Sequence, residues 1–425
     1  MIRVRMAAVQ QLGAHYPLGS HLDERGRLTI GGCDMIELAR EFGTPAFVVA
    51  EDDLRARARA FVAAFAARCD DFEVEFASKA FPCTAVYGVL AEEGIGCDVA
   101  GGGELALALR GGFEPARIHF HGNAKTEAEL EQALDAGVGY VIVDNLAEVA
   151  RLETLLAERD RTQRVLIRIA PGVSPDTHPA ISTGGPNTKF GFSLADAPAA
   201  IARMQESDRF DLEGVHFHIG SQIFLMEPFR RALEAVRALG DFRTYNLGGG
   251  LGVAYTADDD PPAIEDYVAA KVAMVEEICG PGKRIMDEPG RVLTANAGVT
   301  LYTVQSVKEN VDRWVAVDGG MSDNLRPMLY DARYEVQVAD RWGGGTRCHI
   351  TGKHCESTDV LVRDTELADP RVGDVLVTPV TGAYGYAMAN NYNGALRPPV
   401  IFVKDGDARV VVRRETYDDL YSRDV

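Results

Sequence analysis

Between Thr44 and Arg291, short apolar runs alternate with helical patterns, and this alternation limits the possible folds more than any other feature. The runs are AFVVA from Ala46, VEFA from Val74, CDVA from Cys97, IHFH from Ile118, YVIV from Tyr140, VLIRI from Val165, GVHFHI from Gly214, TYNL from Thr244 and RIMD from Arg284. Helical segments such as DDLRARARAFVAAFAARC and KTEAELEQALDAG lie between them. Strand and helix repeated this often imply parallel pairing through right-handed crossovers. About 250 residues is the usual size of a closed (β/α)8 barrel. Nine runs compete for eight places, and the one at Ala46 is the candidate surplus. After Arg291 the texture changes to β-rich stretches such as TLYTVQSVKE, RWVAVDGG and DVLVTPV, with Gly, Pro and Asp between them. That reads as a mostly antiparallel domain, and LDERGRLTI near the N-terminus reads as a strand entering it. The expected architecture is an α/β barrel over residues 46–291, with 1–45 and 292–425 forming a sandwich-like or barrel-like β domain.

A chain of 425 residues suits two domains better than one. Its 46% hydrophobic and 25% charged content is that of an ordinary globular enzyme. A net charge of −19 repels nucleic acid and anionic membrane, so neither is an expected partner. The seven cysteines are scattered without a CxxC pair, which argues against a disulfide framework or structural zinc and for a cytoplasmic location. The N-terminus lacks the apolar core of a signal peptide, and no run of about 18 apolar residues is present to span a membrane.

In a barrel of this kind chemistry sits at the C-terminal ends of the strands, and the reactive residues follow the apolar runs. Lys79 closes VEFA; a desolvated lysine there can condense with an aldehyde cofactor, although alone it would pass for a surface lysine. NLGGGLG, Asn246 to Gly252, offers backbone N–H groups to a phosphate. It fits neither the dinucleotide fingerprint nor a Walker loop, and a glycine cluster by itself is more often a turn. EPGR, Glu288 to Arg291, closes the last strand. A buried carboxylate there needs a cation, such as a protonated pyridine nitrogen, and Arg291 can fork onto a carboxylate or phosphate. The alternative is a surface ion pair on a turn. HFHGN and HFHIGSQ each hold two histidines at strand spacing. With no carboxylate ligand obviously placed beside them, no metal is expected. His218 suits stacking on an aromatic cofactor, and Ser221 can donate to a phosphate. HCESTD, His354 to Asp359, holds a cysteine beside an acid, a candidate proton donor and specificity residue or else a structural thiol. GGMSDNLRPMLY and GAYGYAMANNYN are dense in groups that recognise polar substrates, or are surface loops.

Taken together and in order, FASKA, CDVAGGGEL, HGNAKT, ISTGGPNTKFGF, HFHIGSQI, LGGGLG, EPGR, GGMSDNLRPMLY, CESTD and GAYGYAMANNYN make the chain resemble the fold-type III pyridoxal-phosphate decarboxylases, closest among them the diaminopimelate decarboxylases, from about Leu38 to Pro398. The resemblance implies an alanine-racemase-like barrel and a roster of roles. Lys79 would carry pyridoxal 5'-phosphate. His218 would stack on its ring and Glu288 would face its pyridine nitrogen. Asp98, Ser221, Gly248, Gly249, Gly250, Pro289, Gly290, Arg291 and Tyr384 would complete the cofactor site. Arg291, Arg326, Tyr330, Glu356 and Tyr384 would bind the substrate's distal groups and carboxylates, and Cys355 would donate the proton. A thiol suits that step because its reference pKa near about 8.5 keeps it mostly protonated at neutral pH. The implied reaction converts meso-diaminopimelate to L-lysine and carbon dioxide. The implied assembly is a head-to-tail homodimer in which the CES segment arrives from the other subunit. The chain departs from the family's usual pattern at Gly101, Ala124 and the Lys353–His354 pair, none of which carries an implied role. Rival readings are an ornithine, arginine or carboxynorspermidine decarboxylase, a non-enzymatic pyridoxal-phosphate carrier, and a metal-dependent barrel hydrolase. Glu356 and the ISTG loop speak against the first, and the β domain after residue 291 against the second.

Overall fold

Eight of the nine apolar runs pair side by side in parallel and close on themselves. The computed structural model describes residues 10–174, 183–185 and 187–425. The chain divides into two compact units, one of Arg55–Gly252 with Pro261–Leu293, the other of the chain up to Leu54 with Val253–Asp260 and Thr294–Val425.

The ninth candidate is β1 (Ala46–Ala50). The barrel strands are β2 (Phe72–Ala77), β3 (Gly96–Val99), β4 (Ile118–Phe120), β5 (Tyr140–Val143), β6 (Gln163–Ala170), β7 (Phe210–His216), β8 (Thr244–Asn246) and β9 (Arg284–Asp287). They pair in chain order, and β9 returns to β2 with Asp287 opposite Val74, which closes the barrel. Helices fill the crossovers where the sequence carries clear start and stop signals. Thr126 opens the helix Glu127–Ala136 with a reciprocal capping box to Glu129, and Gly137 ends it in the left-handed conformation, φ 76°.

Alternation along each strand decides what lines the barrel. On β9 the inward series is Arg284, Met286 and then Glu288 beyond the strand end. Met286 joins Tyr140, Ile142 and Leu166 in a buried apolar layer. This layer separates two polar clusters, one near the strand starts and one at their C-terminal ends.

In the second unit, β1 pairs antiparallel with β10 (Gly298–Glu309) and parallel with β15 (Val400–Lys404). The same sheet holds β11 (Arg313–Val317), β12 (Thr346–Thr351), β13 (Val360–Leu367), β14 (Val375–Pro379) and β16 (Asp407–Val412). Pairing is antiparallel apart from β1–β15 and β11–β12. Leu28, Ile30, Val48, Leu301, Val377 and Ile401 share its core, so the N-terminal LDERGRLTI strand belongs here. Among the described residues, no helix is long and apolar enough to cross a membrane.

Candidate active site

At the C-terminal end of the barrel, Glu288 is only 5% exposed, yet it is surrounded by donors. Its Oε1 accepts from Asn246 Nδ2 at 2.8 Å and lies 3.1 Å from His121 Nε2; its Oε2 is 3.2 Å from His216 Nε2. Burial pushes this carboxyl up, but the His216 and His121 imidazoles outweigh it and hold Glu288 well below the usual carboxylate range. Burial in turn pushes both imidazoles down, toward the neutral form that offers one N–H each. The outcome is a buried carboxylate whose ionised form is favoured.

The two histidine motifs therefore divide their work. His121 and His216 meet at Glu288, the carboxylate that sequence alone did not set beside them; these three groups have donor atoms close enough to hold a metal ion. His119 belongs instead to the lower cluster, with Nδ1 2.7 Å from Glu75 Oε2, while Glu73 accepts from Arg284 at 2.7 Å. Burial, followed by the charges of Glu288 and Glu73, pushes Glu75 well above the ordinary carboxylate range.

Lys79 follows β2 on the short turn Ser78–Ala80. It is exposed rather than desolvated, because it stands beyond the strand end and not within the packed barrel. Its ammonium still reaches the site electrostatically. Burial, then Lys79, pushes His218 well below its ordinary value. Burial raises Asp98, with His121 and Lys79 opposing that rise. His218 itself is half-buried, and the loop that includes Thr183 is tied to it by Thr183 Oγ1 donating to His218 O at 2.9 Å. Ile181 and Ser182 of that loop lie outside the described residues.

The glycine run follows β8 and turns under Glu288. Gly248 has φ +59°, and a Cβ there would sit 2.6 Å from Phe217 O. A Cβ on Gly249 would come 2.0 Å from the Glu288 carbonyl oxygen. Only glycine permits this approach, so the loop forms a bare backbone cradle of the kind a phosphate uses. Across from it, Arg291 donates from Nε and Nη2 to Ser221 Oγ at 3.1 and 2.9 Å. Pro289 and Gly290 form the turn between Glu288 and Arg291. Gly290 is packed so that a Cβ would meet Ala77 Cβ at 3.0 Å.

Several supporting residues carry no role in the sequence reading. Lys271 is fully buried beneath the glycine loop; its Nζ donates to Asp287 at 2.5 Å and to Gly248 O at 3.0 Å. Lys125 is likewise buried and donates to Glu148 at 2.6 Å and to two backbone carbonyls at 2.8 Å. Arg168 lies on the inward series of β6 with its guanidinium 4.4 Å from the centre of the Phe190 ring. The available signal was a lone basic residue inside an apolar pattern, as in VLIRI and AKVAMV.

The second unit holds the remaining candidates. Arg326 is buried, donating from Nη1 to Tyr255 OH at 2.8 Å and to Tyr334 OH at 2.5 Å, with its guanidinium 4.8 Å from the centre of the Tyr255 ring. Tyr330 is half-buried at the end of the same short helix, Arg326–Tyr330. Tyr384 is half-buried with φ +61°, a left-handed conformation that a bulky residue adopts only at a cost and often near function. Cys355 is exposed, its backbone N–H donating to Asn393 Oδ1 at 3.0 Å, and Glu356 beside it is half-buried.

Residues 51–295 match the family model described as "Pyridoxal-dependent decarboxylase, pyridoxal binding domain". The chain is 44% identical to the diaminopimelate decarboxylase of Bacillus subtilis (strain 168), across 96% of this chain and 97% of that protein. It is 46% identical to the diaminopimelate decarboxylase of Actinosynnema pretiosum subsp. auranticum, across 96% and 95%. The crystal structure of diaminopimelate decarboxylase from M. jannaschii in complex with L-lysine superimposes with a TM-score of 0.91 at 35% identity, covering 98% of this chain and 99% of that one.

Proposed function

This chain belongs to the diaminopimelate decarboxylase family of pyridoxal-dependent enzymes, and from that membership we propose how its own residues divide the work. The reaction is removal of carbon dioxide from meso-2,6-diaminopimelate to give L-lysine, the last step of lysine biosynthesis. Its cofactor is pyridoxal 5'-phosphate. The residues at the barrel mouth fit that group. They combine an amine on Lys79, a buried carboxylate on Glu288 whose ionised form His121 and His216 favour, and a glycine cradle that a single Cβ would fill.

Pyridoxal phosphate supplies an aldehyde that captures amines and a ring that withdraws the electrons left when carbon dioxide departs. The protein does the rest. Lys79 would hold the cofactor through its side-chain amine. Glu288 would face the pyridine nitrogen and favour its protonated form, and the one observation that carries the reading is this buried carboxylate at the barrel mouth, ringed by Asn246, His121 and His216. His218 packs on the ring face and Asp98 lies beside Lys79. Gly248, Gly249, Gly250, Ser221, Gly290, Arg291 and Tyr384 bind the phosphate. Arg326, Tyr330 and Glu356 recognise the distal carboxylate and ammonium, with Tyr255 and Tyr334 fixing the angle of the Arg326 fork. Cys355 delivers the proton to the carbon that has lost carbon dioxide.

The enzyme works in the cytoplasm, consistent with seven free thiols, as a head-to-tail homodimer. The test is incubation of purified protein with meso-diaminopimelate, and separately with L-ornithine and L-arginine, with identification of the products. L-lysine from the first alone is the expected result; preferential turnover of either of the others reassigns the substrate.

A further inference from the structure

We propose that His354 is a positioning residue for the Cys355–Glu356 pair, a buried latch that gives an exposed turn a defined geometry. The inference rests on reading Cys355 as the proton source.

An exposed turn does not hold a thiol in place by packing, because surface connections are mobile by default. Cys355 stands on such a turn, between the end of β12 at Thr351 and the start of β13 at Val360, and within a single chain it is exposed. Proton delivery to one face of one carbon needs a donor fixed within a fraction of an ångström. The preceding residue supplies that order. His354 turns inward and is only 8% exposed. Its Nε2 lies 2.9 Å from Ser322 Oγ, on the turn that follows Gly319 and Gly320. Its ring centre lies 5.7 Å from that of Tyr392. Its backbone N–H donates to Asp359 Oδ2 at 3.0 Å, and Asp359 Oδ1 accepts from Met321 N at 2.7 Å. The imidazole and the Asp359 carboxylate thus tie the turn to one neighbour at two points, and Asn393 ties the Cys355 N–H to another.

The fit is tight enough to explain the residues before it. A Cβ on Gly352 would sit 2.1 Å from Asp359 Oδ2 and 2.5 Å from Gly320 Cα. The strap therefore passes Asp359 as bare backbone and presents its first sizeable inward side chain at His354. Burial pushes that imidazole below its ordinary value, which favours the neutral form.

The test compares His354→Phe, which keeps a ring against Tyr392 but removes the hydrogen bond, with His354→Gln, which keeps a donor. On the holoenzyme, the rate of iodoacetamide alkylation at Cys355 is followed by peptide mapping, alongside kcat and KM for meso-diaminopimelate. In the proposed dimer, where the partner subunit covers the thiol, His354→Phe should raise the alkylation rate about tenfold, the increase in local opening that loss of one buried hydrogen bond produces. It should also lower kcat and raise KM together, because Glu356 moves with the thiol. His354→Gln should restore both readouts. Ser322→Ala should reproduce the His354→Phe defect without adding to it in the double variant, and it carries the test if His354→Phe fails to fold. Alkylation at the wild-type rate in both His354→Phe and Ser322→Ala, or defects that add, would overturn the proposal. Full activity in Cys355→Ala would instead overturn the reading of Cys355, and the alkylation comparison in chains that retain it would still judge His354.

Discussion

Glu288 keeps its charge where charge is expensive. A carboxyl sealed from water ordinarily takes up a proton; beside Glu288, Asn246 and two imidazoles pull the other way and favour the ionised form. Glu288→Gln preserves the shape and removes the charge, so kcat should fall at least about a hundredfold, the scale for losing one preorganised electrostatic partner. Cofactor absorbance should persist. Glu288 and the two imidazoles also have donor atoms close enough to hold a metal ion, a reading that a chelator separates from the pyridine one. Dialysis against EDTA should leave kcat unchanged; loss of activity restored by a divalent cation would reassign Glu288 to a metal. Asp323 is the opposite case. It is buried beneath the turn that carries Ser322, and burial raises its carboxyl from 3.8 to about 7, with Tyr302 and the Gly320 N–H opposing the rise. Between those two values the folded chain holds a proton that the unfolded chain releases. Its contribution to stability is therefore fully present below pH 3.8 and is lost as pH rises to about 7. Asp323→Asn should flatten the pH dependence of urea unfolding across that window. An unchanged slope would show that Asp323 titrates normally.

At the scale of elements, the strand ends hold the site and buried charges hold the strand ends. Lys271, on the helix Ile264–Cys279, reaches Asp287 at the end of β9 and the Gly248 carbonyl after β8, pinning two barrel strands at the point where the glycine loop turns. Lys271→Met should cost about 3–5 kcal/mol, because it leaves the Asp287 carboxyl buried without its cation. Pairing it with Asp287→Asn should recover most of that loss in chemical denaturation; a double variant no more stable than the single one would show that packing of the lysine stem, and not its charge, matters. The sequence marks Lys271 only as a lone basic residue in the apolar pattern AKVAMV, and RIMD reads as a strand with nothing to show that Asp287 is its partner. What sequence does convey is periodicity and position. All eight barrel strands fall on apolar runs, and the chemical groups follow their C-terminal ends. Partner choice is what periodicity leaves out. AFVVA at Ala46 is as apolar as any barrel strand, yet it pairs with β10 and β15, because a five-residue run carries no mark of which sheet it joins. His119 and His121 share a face by spacing but stand roughly 6–7 Å apart along the strand. One therefore meets Glu75 and the other Glu288, and only the register of eight strands decides which.

The whole molecule poses the question of where one active site ends and the next begins. Lys79 and Cys355 belong to different compact units, and the proposed chemistry requires both. In the proposed head-to-tail dimer, two-fold symmetry makes the two interfaces identical, so each site draws its lysine from one subunit and its thiol from the other. Consider Lys79→Ala and Cys355→Ala, each inactive alone. In a mixed dimer one site receives both lesions and the other receives none. Equal amounts exchanged at random make half of the dimers mixed, and half of the sites in those are intact. Activity should therefore recover to about a quarter of the wild-type level by that symmetry count. Refolding the two variants together allows the exchange, and differently tagged chains recovered in one complex establish that it has occurred. The recovered activity should also rise and fall with the fraction of mixed dimers as the input ratio is varied, which contamination by wild type would not do. If exchange is complete and activity stays at the level of the separate variants, the two-subunit site is wrong. Cys355 then either serves the Lys79 of its own chain or takes no part in the reaction.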